Sequence, residues 1–178
     1  WKLIHGDVFR FPNHTSLFAA LVGAGGQLCC TTFLLLFCAI TGFFRPTKRG
    51  AILTAMIVLY ALTSFIGGFV GARLYRQFDG LNWVWNTVLT ALVFPAPLMG
   101  IFMWVNTVAW SRGSSAALPW HTVMIIAALY ALVSFPLTVI GAIAGRNLST
   151  DFEAPCRTTK VAREIPKDIP WYRQPIAQ

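Results

Sequence analysis

Ionic residues fall in clusters along this chain, and between the clusters run long apolar blocks. Lysine, arginine, aspartate and glutamate are absent from 11–44, 50–72, 80–111 and 113–145. Crossing a hydrocarbon core takes about 20 apolar residues as a helix, and each block is long enough. Backbone amides find no water in lipid, so the helix is the form that satisfies them. Helices are expected at 16–42, 51–72, 83–110 and 120–145. The fold class that follows is all-α, a polytopic transmembrane helix bundle with four spans, flanked by polar segments at 1–15 and 146–178.

Composition agrees. Of 178 residues, 56% are hydrophobic and 11% are charged, where a soluble domain carries about 25% charged residues. The mean hydropathy is +0.63. No signal-peptide pattern precedes the first span, and the chain is expected to be a stretch of a longer polypeptide.

The net charge of +8 does not mark a nucleic-acid binder, because the basic residues punctuate apolar blocks instead of sharing a polar face. They do assign an orientation. Lys2, Arg10, Arg73, Arg76, Arg146, Arg157, Lys160, Arg163, Lys167 and Arg173 fall on one side; Arg45, Lys48, Arg49 and Arg112 fall on the other. Positive residues favour the cytosol. Both ends and the middle loop are therefore expected to be cytosolic, and the two short loops lumenal or extracellular. Trp83, Trp85, Trp110 and Trp120 lie at expected helix ends, where indoles suit the headgroup zone. Asn13 and Asn147 head glycosylation sequons that this orientation leaves silent.

Several features inside the spans bear on function. Gly67 with Gly71, and Gly141 with Gly145, form GxxxG pairs; Ala19 with Gly23 is a weaker one. Small faces let helix backbones approach closely, so these pairs either grip client helices or pack the protein's own bundle. Pro95 and Pro97 interrupt the third span and Pro136 the fourth. Each removes a backbone donor. Such breaks build binding sites in transporters or serve as plain kinks. No Asp, Glu, Lys or Arg lies in a span core, whereas ion-coupled carriers place one there. Cys29, Cys30, Cys38 and Cys156 match neither a disulfide framework nor a metal spacing, and His121 sits at a helix start. Catalytic residues, metal ligands and cofactor sites are not expected. The expected partners are the lipid bilayer and other transmembrane proteins.

The proline-rich segment 151–178 carries distinctive wording: PCRTTK at 155–160, AREIP at 162–166 and PWY at 170–172. With WKLIHGDVF at 1–9, RG at 49–50, LTA at 53–55, LYALT at 59–63, GSSAALP at 113–119 and PLT at 136–138 before Gly141, it resembles the transmembrane 9 superfamily. This family is also known as the nonaspanins, or endomembrane protein 70-type proteins. The resemblance covers essentially the whole chain. Phe11 stands where the family commonly has proline, and Ala96 where glycine is common. The resemblance implies spans two to five of nine and residence in Golgi and endosomal membranes. It further implies a role in sorting or surface delivery of other membrane proteins, especially those with glycine-rich spans. A small-molecule transporter or channel is the alternative raised by the interrupted spans.

Overall fold

A computed structural model describes residues 11–43, 50–150 and 152. Among those residues every regular element is a helix. The elements are α1 (Thr15–Ile40), α2 (Ala51–Gln77), α3 (Trp83–Leu92), α4 (Pro95–Ser111), α5 (Trp120–Leu129), a wide π-type turn (Tyr130–Ser134) and α6 (Phe135–Asn147). The segments 15–40, 51–77, 83–111 and 120–147 are each long and apolar enough to cross a bilayer.

One span end departs from expectation and two spans are interrupted, each with a clear cause. α2 runs past Arg73 to Gln77, because an arginine near a helix end can extend its charged head toward the interface. The third and fourth spans are each in two pieces, broken at Val93–Phe94 and at 130–134. Pro95 and Pro136 stand at the first and second positions of α4 and α6, where a missing amide costs least. α1 stops at Thr41–Gly42, with Gly42 at φ +72°, a conformation glycine adopts without strain.

The core is built from small and polar residues. α1 buries Ala19, Ala20, Gly23, Ala24, Gln27 and Thr31. α2 buries Ala61, Thr63, Ser64, Gly67, Gly68, Gly71, Ala72 and Tyr75. Large apolar side chains point outward: Phe33, Ile101, Trp104 and Leu132 are each at least two-thirds exposed. That inversion suits a lipid solvent, in which apolar surface carries no penalty and close backbone contact supplies the attraction.

α2 is the hub, packed against α1, α3 and α6. Its contact with α6 is backbone against backbone. A Cβ added to Gly141 would overlap the Phe65 carbonyl, and one on Gly145 the Phe69 carbonyl. At the next rung Ser149 replaces glycine, and its Oγ donates to the Arg73 carbonyl at 3.2 Å. Both series advance four residues per rung in the same direction, so α2 and α6 are parallel. Gly68 returns the contact, set against the Thr138 carbonyl. α1 lies antiparallel to α2: an added Cβ on Gly23 would come within 2.6 Å of the Gly67 oxygen and 2.9 Å of the Gly71 Cα. Phe18, near the start of α1, meets Phe78, just past the end of α2, at 6.0 Å between ring centroids.

Candidate functional site

Two spans, α1 and α2, bring polar groups together near the middle of the bundle. Gln27 sits halfway along α1. Its Nε2 donates to the Tyr60 carbonyl at 3.0 Å and to Ser64 Oγ at 3.2 Å. One turn on, Thr31 and Thr63 share a hydrogen bond of 2.7 Å. Helical hydroxyls and amides buried in lipid-embedded interfaces bond across helices because hydrocarbon offers no other partner.

The break in the third span faces this cluster. The Tyr60 ring lies 5.8 Å from that of Phe94, directly before Pro95. An unbroken helix would satisfy the Ala91 carbonyl with the amide of residue 95. Proline has none, and the Tyr130 hydroxyl donates to that carbonyl instead, at 2.7 Å. Tyr130 opens the π-type turn, where the Phe135 amide reaches back five residues to the Tyr130 carbonyl. The interruption of the fourth span thus repairs the interruption of the third.

Below the cluster, α3 buries Asn86, Thr87, Thr90 and Ala91. Thr90 Oγ1 donates to the Asn86 carbonyl at 2.8 Å and borders Gly71. The Asn86 side chain is 0% exposed, and neither of its polar atoms has a hydrogen-bond partner. An unpaired buried amide costs about 1–3 kcal/mol. Asn86→Leu, close in volume and free of that cost, should therefore raise the unfolding temperature of the full-length protein in detergent. A stabilisation of about 1 kcal/mol is expected; a lower melting temperature would show that the amide is paired in the membrane.

The expected site residues occupy defined places. Gly67 faces Gln27, Gly71 faces Ala19 and Thr90, and Gly141 and Gly145 face α2; all four are buried between the chain's own helices. Pro95 and Pro97 open α4, and Pro136 follows the wide turn. Gly25 and Gly100 are open, with nothing within 4 Å of an added Cβ. Cys29, Cys30 and Cys38 are free thiols, whereas Cys156 lies outside the described residues. Among the described residues no group of three His, Cys, Asp or Glu could hold a metal. The midplane groups are an amide, hydroxyls and carbonyl oxygens. They can bind helices together or hold a neutral polar ligand, but they supply no strong acid or base.

Gln27, Tyr60, Asn86 and Tyr130 did not stand out in the sequence. The signal that could have found Gln27 and Asn86 is an amide inside a charge-free apolar run.

The opposite end of α4 is tied to the loop ahead of α5. Asn106 Oδ1 accepts from the Leu118 amide at 2.8 Å, and Trp110 Nε1 donates to the Leu118 carbonyl at 3.0 Å. α4 itself buries no residue.

Four apolar spans, a small-residue core and outward-facing large side chains define a multi-pass integral membrane protein. The family profile described as Endomembrane protein 70 matches residues 1–178, and the chain belongs to that family. It is 51% identical over its whole length to Transmembrane 9 superfamily member 2 of Arabidopsis thaliana, covering 30% of that protein. It is 49% identical to member 4 of the same plant, again over all of this chain and 30% of the relative. With member 1 of Mus musculus the identity is 45%, over 99% of this chain and 29% of the relative. The chain thus spans about 30% of the length of the curated relatives it matches. No solved structure matches it.

Proposed function

We propose that this chain is part of a multi-pass protein of Golgi and endosomal membranes. In this reading the protein sorts other membrane proteins, or delivers them to the surface, by gripping glycine-rich transmembrane helices. The end carrying Arg73, Arg76 and Arg146 faces the cytosol, and a glycan found on Asn147 would reverse that orientation. Membership of the family supports the class of protein. The observation that carries the client-helix reading is the open face of α4. This helix buries none of its residues, and it presents Ala96 and Gly100 one turn apart, both exposed. A small-residue face open at membrane depth fits a helix that is itself glycine-rich, because two such backbones can approach closely. The pairs Gly67–Gly71 and Gly141–Gly145 serve this reading indirectly, by fixing the frame from which α4 projects.

Gly100→Leu in the full-length protein should weaken co-purification of a glycine-rich client span about five-fold, the equivalent of one close helix contact. Its melting temperature should stay unchanged. Undiminished capture by the variant would reject α4 as the gripping surface.

A second reading, a small-molecule transporter or channel, draws on the midplane hydroxyls and carbonyls where two interrupted spans meet. Full-length protein in liposomes would then pass a neutral polar solute, and Tyr130→Phe would alter the flux. Absence of flux across a solute panel counts against it.

A further inference from the structure

Among the described residues, the buried side-chain polar atoms without a hydrogen-bond partner are Ser16 Oγ, Asn86 Oδ1 and Asn86 Nδ2. They come from different helices but from one layer. Gly71 of α2 marks the layer next to theirs. A Cβ added there would lie 3.3 Å from the Ala19 carbonyl oxygen of α1 and 3.0 Å from Thr90 Oγ1 of α3. α3 runs antiparallel to α2, since Thr90 borders Gly71 while the Asn82 amide donates to the Tyr75 hydroxyl at 3.2 Å. α1 is antiparallel to α2 as well, so α1 and α3 are parallel. Ser16 precedes Ala19 by one turn, and Asn86 precedes Thr90 by one turn. Stepping back along both helices therefore reaches the two residues at depths that agree to within about 2 Å. Each continues the buried face of its helix, with Ala19, Ala20 and Gly23 on α1 and with Thr87 and Thr90 on α3.

This layer is the first turn of both helices, which begin at Thr15 and Trp83. The bonds from the Phe18 amide to the His14 carbonyl and from the Asn86 amide to the Asn82 carbonyl open the two ladders. The amides of 15–17 and 83–85 precede those bonds, and no side chain caps either helix. Helical side chains lean toward the N-terminus, so the Ser16 hydroxyl and the Asn86 amide lean toward the end where those N–H groups lie. Two parallel N-termini side by side offer donors and the positive ends of two dipoles, which suit an anion. The amide adds a finer requirement, because it carries a donor and an acceptor in one plane. A phosphate that keeps a hydroxyl matches both: P–O⁻ accepts from the amide N–H, and P–OH donates to its carbonyl oxygen. A phosphate diester has no hydroxyl to give.

We propose that the paired starts of α1 and α3 bind a phosphate group that retains a hydroxyl. Its P–O⁻ accepts from Asn86 Nδ2 and the Ser16 hydroxyl, and its P–OH donates to Asn86 Oδ1. The first-turn amides surround the remaining oxygens. The phosphate enters from the rim, where Thr15, Ser16 and Trp83 are half-buried. It belongs either to a phosphatidic acid headgroup or to free phosphate. The cost of leaving Asn86 unpaired in the ligand-free protein is the counterpart of this affinity.

The test follows thermal unfolding of delipidated full-length protein in detergent. The probes are dioctanoyl phosphatidic acid, the chain-matched diester dioctanoyl phosphatidylglycerol, dioctanoylglycerol and inorganic phosphate. A hydroxyl-bearing phosphate should raise the melting temperature and saturate. The diester should act about ten-fold more weakly, and dioctanoylglycerol should do nothing. A response to inorganic phosphate at matching concentration assigns the site to a soluble anion; a response to phosphatidic acid alone assigns it to a headgroup. Ser16→Ala should raise the half-saturating concentration about ten-fold. Asn86→Leu should melt higher without ligand yet lose the ligand-dependent rise, and Arg112→Gln, at the other end, should respond as the unmodified protein does. Phosphatidic acid should also bind more weakly as pH rises past about 6, where a monoester gives up its hydroxyl proton. Equal shifts with monoester and diester, an undiminished response in Ser16→Ala, or no shift with either phosphate would overturn the site. If Asn86→Leu fails to fold, Ser16→Ala, a small change at a half-buried position, decides.

Discussion

Leucine in place of Gly141 unseats α6 from α2. Even a methyl group there overlaps the Phe65 carbonyl, which is backbone and cannot swing aside. The cost lies at the upper end of overpacking penalties, about 3 kcal/mol, and neighbouring interactions that depend on the seam fall with it. The unfolding temperature of the full-length protein, followed by fluorescence-detected size exclusion after heating, should drop sharply. Gly25→Leu is the matched control: nothing lies within 4 Å of its added Cβ, so its effect should stay within about 0.5 kcal/mol. Equal melting of the two variants would remove the ladder as the source of the α2–α6 contact.

Tyr130→Phe carries the second expectation. Removing one hydroxyl leaves the Ala91 carbonyl without the donor it gains at 2.7 Å, because Pro95 offers none. The loss should be about 2 kcal/mol, the cost of one unsatisfied buried acceptor. A double-mutant cycle separates this from loss of packing. In a Pro95→Ala background the amide of residue 95 can take the Ala91 carbonyl itself, and Tyr130→Phe should then cost less than about 0.5 kcal/mol. If the tyrosine substitution costs the same in both backgrounds, its hydroxyl does not stand in for the missing amide.

The four spans were legible because the signal for them is local. A run without ionic side chains carries its own solvation cost in water, whatever it later packs against. Breaks near Pro95 and Pro136 were legible for the same reason, since proline removes a donor in any context. Partner assignments were not legible. Gly67 and Gly141 look alike along the chain, yet one meets a glutamine on α1 and the other a carbonyl on α2. That difference is set by the rotation of helices far apart in sequence. Tyr130 and Ala91 are 39 residues apart, and neither is conspicuous among apolar neighbours. Gln27 and Asn86 carry no charge and so leave no mark in the ionic pattern, although a neutral amide is also costly to leave unpaired in hydrocarbon.

A carbonyl seated over a glycine works like a tooth in a notch. Sliding α6 along α2 by less than one rung would drive the Phe65 and Phe69 oxygens into the side chains between Gly141 and Gly145, so displacement is permitted only in jumps of about 6 Å, four residues of helical rise. Bending at a broken span needs no such jump, because the helical ladder is already interrupted at Val93–Phe94 and at 130–134.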